Sequence, residues 1–135
     1  MTQEEKMLLI KDLSARLPYA VTVEHTSGFR GTLHDITVHH MYDDNDNVYD
    51  AICYTDFFGD EDSIYIEYFK PYLFPMSSMN GKQYVEFVDL GEATADDCFD
   101  GVNFNQLDWL IAHHFDYRGL IEKGLALDAT DKEIY

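Results

Sequence analysis

Four strand-like segments between residues 20 and 69 constrain the fold of this chain more than any other feature of its sequence. In each segment apolar and β-branched residues alternate with polar ones, and short turn sequences rich in Asp, Asn and Gly separate the segments. The segments cover residues 20–25, 29–42, 48–55 and 63–69. Strands joined by such short links pair with their neighbours in sequence, so we expect an antiparallel meander.

A helix is expected before the strands. Thr2 and Glu5 have the spacing of a capping box, in which each residue bonds the backbone N–H of the other. The apolar residues of the next three turns share one helical face, which should pack on the core. Pro18 ends the helix at about Leu17, because the residue before a proline disfavours helical backbone.

The second half of the chain carries weaker patterns. Residues 70–79 contain two prolines and look irregular, residues 82–90 fit a short helix and a strand equally well, and residues 91–101 resemble an acidic loop. Asn103 is a favourable N-cap for a helix that continues to about His114.

Length and composition favour one domain that covers residues 1–135. A hydrophobic fraction of 46% is typical of a folded protein. We expect an α+β fold with an N-terminal helix, a curled antiparallel sheet of four or five strands and C-terminal helices. An SH3-like or Sm-like small barrel is one form that this sheet could take.

The sequence predicts a soluble cytoplasmic protein. No stretch approaches the roughly 20 apolar residues that span a bilayer, and the first residues do not resemble a secretory signal. Cys53 and Cys98 have apolar or aromatic neighbours and do not form a Cys-x-x-Cys motif, so we expect buried thiols.

Negative charge is concentrated in two stretches that contain no lysine or arginine. Residues 31–69 hold ten carboxylates and residues 83–117 hold eight, which together are 18 of the 26 acids in a chain of net charge −17. Charge of one sign repels nucleic acids and anionic membranes and attracts basic partners. We therefore expect a protein partner, a basic one, and no direct binding to nucleic acid or membrane.

The segment 70–76 is the first candidate for binding such a partner. It is apolar, prolines make it rigid, and it could present Tyr72, Phe74 and Met76 outward as an anchor. In the alternative interpretation, the same side chains plug one end of the sheet.

Two residues of the C-terminal helix complete the set of binding candidates. His113 lies towards the flank that it shares with Trp109, whereas His114 falls on the apolar face and should be a packed histidine.

The sequence gives little support to catalysis. Motifs for a nucleophile, a phosphate loop or a dinucleotide are absent, so we expect no cofactor. The histidine pairs 39–40 and 113–114 lack the spacing of zinc helices. Asp43, Asn45 and Asn47 have the spacing of a calcium loop, but the later glycine and glutamate are missing, so a solvated turn is favoured.

Three segments give the chain a family resemblance. They are Arg16-Leu17-Pro18-Tyr19, then Lys70-Pro71-Tyr72-Leu73-Phe74-Pro75-Met76-Ser77-Ser78-Met79, and finally residues 113–126, His113-His114-Phe115-Asp116-Tyr117-Arg118-Gly119-Leu120-Ile121-Glu122-Lys123-Gly124-Leu125-Ala126. The chain resembles a group of small proteins with no assigned activity that gut Bacteroidales bacteria, their phages and their mobile elements carry. The resemblance implies a cytoplasmic protein of a mobile element.

Three functions follow from these observations. The favoured one is a non-enzymatic, acidic accessory protein that binds another protein. One alternative is a mimic of nucleic acid that occupies the basic groove of a DNA-handling protein. The other is a metal-dependent enzyme that uses His113, His114 and Asp116. We also expect Arg118 to form an ion pair with a nearby acid, such as Asp108, Asp116 or Glu122.

Overall fold

The structure of the protein is a computed structural model, and it describes residues 1–42, 47–55, 62–93 and 103–135. Several predictions concern residues outside these ranges. They are the calcium-like hairpin tip, the acidic turn that follows Thr55, most of the acidic loop predicted at 91–101, and the burial of Cys98. Cys53 lies within the described part and is a buried thiol, as predicted.

The first helix, α1, spans Gln3–Arg16 and confirms the predicted capping box. The backbone N–H of Glu5 donates to Thr2 Oγ1 at 3.1 Å, and the N–H of Thr2 donates to Glu5 Oε1 at 2.9 Å. A 3₁₀ helix, Leu17–Tyr19, follows directly and contains Pro18. The proline therefore ends α1 where the sequence predicts.

The predicted meander is present. It consists of β1 (Thr22–His25), β2 (Arg30–Tyr42), β3 (Asn47–Thr55) and β4 (Asp62–Tyr65), and each strand pairs antiparallel with the next. The last predicted strand was too long, because Ile66–Tyr68 is a 3₁₀ helix. This turn redirects the chain from β4, at one edge of the sheet, to the far side of β1.

The next strand, β5, spans Phe69–Pro75 and pairs antiparallel with β1. The prediction of an irregular segment at 70–79 was therefore wrong for most of its length; a 3₁₀ helix, Met76–Ser78, ends it. Two short strands, β6 (Phe115–Asp116) and β7 (Leu127–Asp128), pair parallel with β5.

The α+β class is confirmed, and the details of the sheet are corrected. Within the described residues the sheet has seven strands in the order β4-β3-β2-β1-β5-β6, with β7 beside β5. It is mixed, whereas we expected four or five antiparallel strands. The two extra strands have two residues each, which is too short for an alternating pattern. The SH3-like or Sm-like form is not confirmed.

Two further helices complete the architecture. Helix α2 spans Gly81–Ala93, which assigns the ambiguous residues 82–90 to a helix. Helix α3 spans Phe104–Ala112 and begins at the predicted N-cap, Asn103. It ends before His114, because that residue has a left-handed φ of 63°.

The core lies between α1 and the sheet. The predicted apolar face of α1 contributes Leu9, Ile10 and Leu13, which are at most 5% exposed. Strands and the C-terminal segment supply most other members, which include Val21, Val23, Leu33, Ala51, Cys53, Ile66, Phe69, Leu73, Leu120, Leu125 and Ala126. Among the described helices, none is both long and apolar enough to cross a membrane.

Candidate protein-binding site

A groove lies at the end of β5, where two segments that are distant in sequence come together. Pro75, Met76 and Ser77 form one wall, and the turn that follows β6 forms the other. The cavity has a volume of about 400 Å³. The full lining is Pro75, Met76, Ser77, Asp116, Tyr117, Gly119, Ile121 and Glu122. Below, "the groove" refers to this site.

The first wall is held by the 3₁₀ helix that ends β5. Ser78 Oγ donates to the carbonyl oxygen of Pro75 at 2.7 Å, and the N–H of Met79 donates to Met76 O at 3.3 Å. These bonds fix the backbone around Met76, a residue that remains 39% exposed. Met76 is therefore presented outward, as the sequence predicts.

Asp116 builds the second wall. Its backbone pairs with Pro75 through the β5–β6 ladder, which joins the two walls directly. Its carboxylate is buried and accepts the N–H of Leu120 at 2.8 Å and of Ile121 at 2.9 Å. Both carboxylate oxygens are thus occupied in holding the turn, which also requires the left-handed φ of 74° at Gly119.

The groove combines apolar side chains with negative charge. Ile121 and Tyr117 are half-buried, and Glu122 is exposed at the rim. None of the eight lining residues is a lysine or arginine. Two other cavities, of about 270 and 320 Å³, each include a base, Lys70 or Arg30 respectively. The groove is the cavity among these three whose charge best suits a basic ligand.

Two arginines contact the ring of Tyr117. The guanidinium carbon of Arg16 lies 5.5 Å from the centre of the Tyr117 ring, and that of Arg118 lies 5.0 Å away. Both distances are within the range of a cation–π contact. The wall that carries Tyr117 is therefore held in place by the protein itself.

A buried carboxylate links these arginines. Arg16 is fully buried; its Nε donates to Asp12 Oδ2 at 2.7 Å, and its Nη2 donates to Asp12 Oδ1 at 3.2 Å and to Phe115 O at 2.6 Å. Arg118 Nε lies 3.4 Å from Asp12 Oδ1. The ion pair predicted for Arg118 is present, but the acid is Asp12, which comes from α1. The four-residue spacing of Asp12 and Arg16 on a helix was the signal that could have revealed this cluster.

The predicted outward position of Tyr72 is wrong. Tyr72 is 1% exposed, and its hydroxyl donates to Glu24 Oε1 at 2.8 Å. Phe74 is half-buried, with its ring centre 6.1 Å from that of Phe115 and 5.9 Å from that of Tyr135. Most side chains of strand β5 are buried or half-buried, although Lys70 is exposed. The alternative interpretation, in which the segment plugs one end of the sheet, therefore describes Tyr72 and Phe74. Of the three candidates in this segment, Met76 alone is exposed.

Trp109 and His113 lie in an aromatic cluster outside the lining of the groove. The ring of Trp109 stacks on His113, with 4.2 Å between ring centres, and on Phe115, at 5.6 Å. It also contacts Phe87 of α2, at 5.8 Å. His113 is exposed, and its Nδ1 lies 2.8 Å from Trp109 O. The structure therefore places these two candidates together, but apart from Met76. Their binding role stays a prediction.

His114 occupies a different environment from His113. Its ring stacks on Tyr135 at 3.7 Å between centres with an angle of 8°. Burial, together with the charges of Arg16 and His113, lowers the pKa of His114 to about 4. The two rings contact different aromatic side chains, and within the described residues no group of three or more His, Cys, Asp or Glu is arranged to hold a metal ion. The positions of the histidine pair thus lend no support to the metal-dependent alternative.

Three comparisons with known proteins give no match. No protein-family model, no curated protein and no solved structure matches this chain. The functional argument therefore rests on the groove and on the charge of the chain.

Proposed function

We propose that this chain is a non-enzymatic, acidic protein that binds a basic protein partner through the groove. The main support for this proposal is that exposed Met76 lies beside Tyr117 and Glu122 in a cavity whose lining contains no lysine or arginine. As part of the same proposal, the protein acts in the cytoplasm as an accessory protein of a phage or another mobile element.

The composition of the groove supports binding to a protein. Protein interfaces place apolar and aromatic contacts at the centre and charged residues at the rim. Met76, Ile121 and Tyr117 supply the apolar contacts, and Glu122 supplies a charged rim. The net charge of −17 attracts a basic partner over a distance and speeds its association.

The use of Asp116 supports binding over catalysis. A general base needs a carboxylate oxygen within reach of the proton that it removes. Each oxygen of Asp116 already accepts a backbone N–H, at 2.8 and 2.9 Å. The role that this geometry favours for Asp116 is to shape the turn, which leaves Glu122 to meet a ligand.

Affinity capture tests the proposal. The purified full-length chain is immobilised, incubated with a bacterial lysate at low and high salt, and the bound proteins are identified by mass spectrometry. The proposal expects a basic protein whose capture falls at least about tenfold with Met76→Ser, as for a contact central to an interface. Glu122→Gln removes a rim charge, so it should lower capture about two- to threefold at low salt and less at high salt. Phe104→Ser and Glu86→Gln are matched controls, because both residues are exposed and lie on α3 and α2, outside the groove.

The control variants distinguish specific binding in the groove from binding by the overall charge of the protein. Capture that survives Met76→Ser and Glu122→Gln, or that all four substitutions weaken equally, contradicts a specific groove. Equal weakening by Glu122→Gln and Glu86→Gln, with no effect of Met76→Ser or Phe104→Ser, assigns binding to the overall charge, as a nucleic-acid mimic requires.

A further inference from the structure

The proposed binding role can be extended to the kind of sequence that the groove accepts. Resting on that role, we infer that the groove binds a short segment of the partner in which an arginine or lysine stands next to a large apolar residue. The inference follows from the acids, the apolar wall and the size of the groove.

The acids select a cation. Asp116 is 7% exposed, so its charge lies in a poorly solvated part of the groove, where electrostatic attraction is stronger than in water. Its two oxygens each accept one backbone N–H, so Asp116 acts on a ligand through its charge. Glu122 is exposed at the rim and is the carboxylate that a cation can contact. An ammonium or guanidinium group is attracted by both acids, whereas an acidic side chain is repelled.

The first wall selects an apolar neighbour. Met76 is exposed next to Pro75, and half-buried Ile121 faces the same cavity. Methionine is flexible and adapts to apolar side chains of different shape. We therefore expect the groove to accept leucine, isoleucine, methionine or phenylalanine without strong preference among them.

The size and rigidity of the groove limit the length of the segment. A cavity of about 400 Å³ is at the small end of ligand pockets, which are about 300–1,000 Å³, and it accommodates about two side chains. The walls are preformed, because Asp116 holds the turn and Arg16 and Arg118 hold Tyr117. A preformed site loses less entropy on binding, so a short segment can be recognised.

A random heptapeptide library displayed on phage is the probe. The library is selected on the immobilised full-length chain at physiological salt, and enriched sequences are resynthesised as fluorescent peptides for anisotropy titration. We expect the enriched peptides to share a basic residue adjacent to an apolar one. Met76→Ser should raise Kd about tenfold, the change expected for one lost central contact, and Glu122→Gln about threefold, with a weaker salt dependence, because it removes a charge at the rim. Phe104→Ser and Glu86→Gln should change Kd less than about twofold.

Circular dichroism and thermal melts check that each variant is folded, as we expect for substitutions at exposed positions such as Met76 and Glu122. Three results overturn the inference: no enriched peptide, enriched peptides that lack either the basic or the apolar residue, or an equal loss of affinity in the control variants. A failure of this inference can be distinguished from a failure of the proposed function. If lysate capture still depends on Met76 while no peptide is enriched, the groove binds a folded surface, and only the sequence preference is wrong.

Discussion

The hydroxyl of Tyr135 bridges strands β1 and β5, although Tyr135 belongs to neither strand. The β1–β5 ladder pairs Val23 with Pro71, and beyond this pair a hydroxyl lies between the strands. The N–H of Thr22 donates to Tyr135 Oη at 2.9 Å, and Tyr135 Oη donates to Tyr72 O at 2.8 Å. The residue is 47% exposed, but its hydroxyl lies between the two strands, and desolvation of this group raises the pKa of Tyr135 to about 12.

Tyr135→Phe tests this bridge. The ring can still pack on His114 and Phe74, but Thr22 and Tyr72 each lose a hydrogen-bond partner. We expect the free energy of unfolding in urea to fall by about 0.5–1.5 kcal/mol, the net contribution of such hydrogen bonds where water can partly replace the lost partner. Tyr84→Phe is the control, since Tyr84 is 60% exposed, and it should change stability by less than about 0.5 kcal/mol. Equal stability of the two variants contradicts the bridge.

The low pKa of His114 leads us to expect that the folded protein loses stability in acid. Its pKa is about 4 in the folded chain, lowered chiefly by burial, against 6.5 for an unperturbed histidine. The unfolded chain therefore binds a proton first as the pH falls from about 6.5 to 4, which favours unfolding. Allowing for partial solvation, we expect this residue to cost about 2 kcal/mol by pH 4.

His114→Asn isolates this effect, because asparagine tolerates a left-handed φ and does not titrate. We expect urea melts at pH 7 and pH 4 to show a smaller acid-induced loss of stability in the variant than in the wild type. His113→Asn serves as the exposed control and should follow the wild type closely, because the charge of His113 is the smallest of the three causes that lower the pKa of His114. If the acid-induced loss is the same in all three proteins, His114 is not its source.

At the scale of elements, polar side chains fasten α2 to α3. Gln106, at the start of α3, accepts the N–H of Asn103 at 3.0 Å and donates Nε2 to Phe87 O at 2.9 Å. Asn103 Nδ2 donates to Leu90 O at 3.0 Å. Gly91 permits this approach, because a Cβ built there would lie 2.5 Å from Gln106 Nε2. The capping residues of one helix thus also bind the carbonyls of the other.

Gln106→Glu is expected to be destabilising although the two side chains have nearly the same shape. A glutamate keeps the oxygen that caps α3, but it places a buried carboxylate against Phe87 O instead of a donor. We expect a loss of about 2 kcal/mol in the free energy of unfolding. Gln83→Glu is the matched control, because Gln83 forms the same capping box with Asn80 at the start of α2 without being buried.

The control should be neutral or slightly stabilising, since a carboxylate in the first turn is favoured by the helix dipole. Urea denaturation at pH 7 measures both variants. If both glutamates have the same effect, Gln106 does not connect the two helices.

Local signals explain which elements were predictable. The capping residues Thr2 and Asn103 act within one turn of their own helices, so the sequence sufficed to place the starts of α1 and α3. The pairing of β5 with β6 and β7 depends on residues far along the chain, and no local pattern encodes it. The prolines of residues 70–79 also suggested irregular backbone where a strand forms.

The groove also combines one wall that a local sequence pattern could indicate with another that depends on long-range pairing. Met76 was predictable because an apolar segment next to prolines stands out in sequence. The opposite wall, from Asp116 to Glu122, was not identified as a binding surface, because it meets Met76 only through the β5–β6 pairing. Tyr72 was misjudged for a related reason: whether a strand residue is exposed depends on what covers the sheet, which sequence alternation alone does not reveal.

For the whole molecule, the dominant physical property is its charge. With 26 acids against 9 lysines and arginines, folding brings many like charges closer together than they are in the unfolded chain. Such self-repulsion destabilises the compact state, and salt screens it. The buried pair Asp12–Arg16, at 2.7 Å, is shielded from solvent and should respond little to salt.

We therefore expect stability to rise with ionic strength. Raising NaCl from about 0.02 M to 0.5 M shortens the screening length from roughly 20 Å to 4 Å, and we expect the free energy of unfolding to increase by about 1 kcal/mol. Urea melts in NaCl and in KCl at matched ionic strength measure this, and agreement between the two salts shows screening instead of binding of a particular cation. A fall in stability with salt would mean that attractive ion pairs, such as Arg30 with Glu24 at 3.4 Å, outweigh the repulsion among the acids. In that case the acids would be largely paired within the protein, and the field that is proposed to attract a basic partner would be correspondingly weaker.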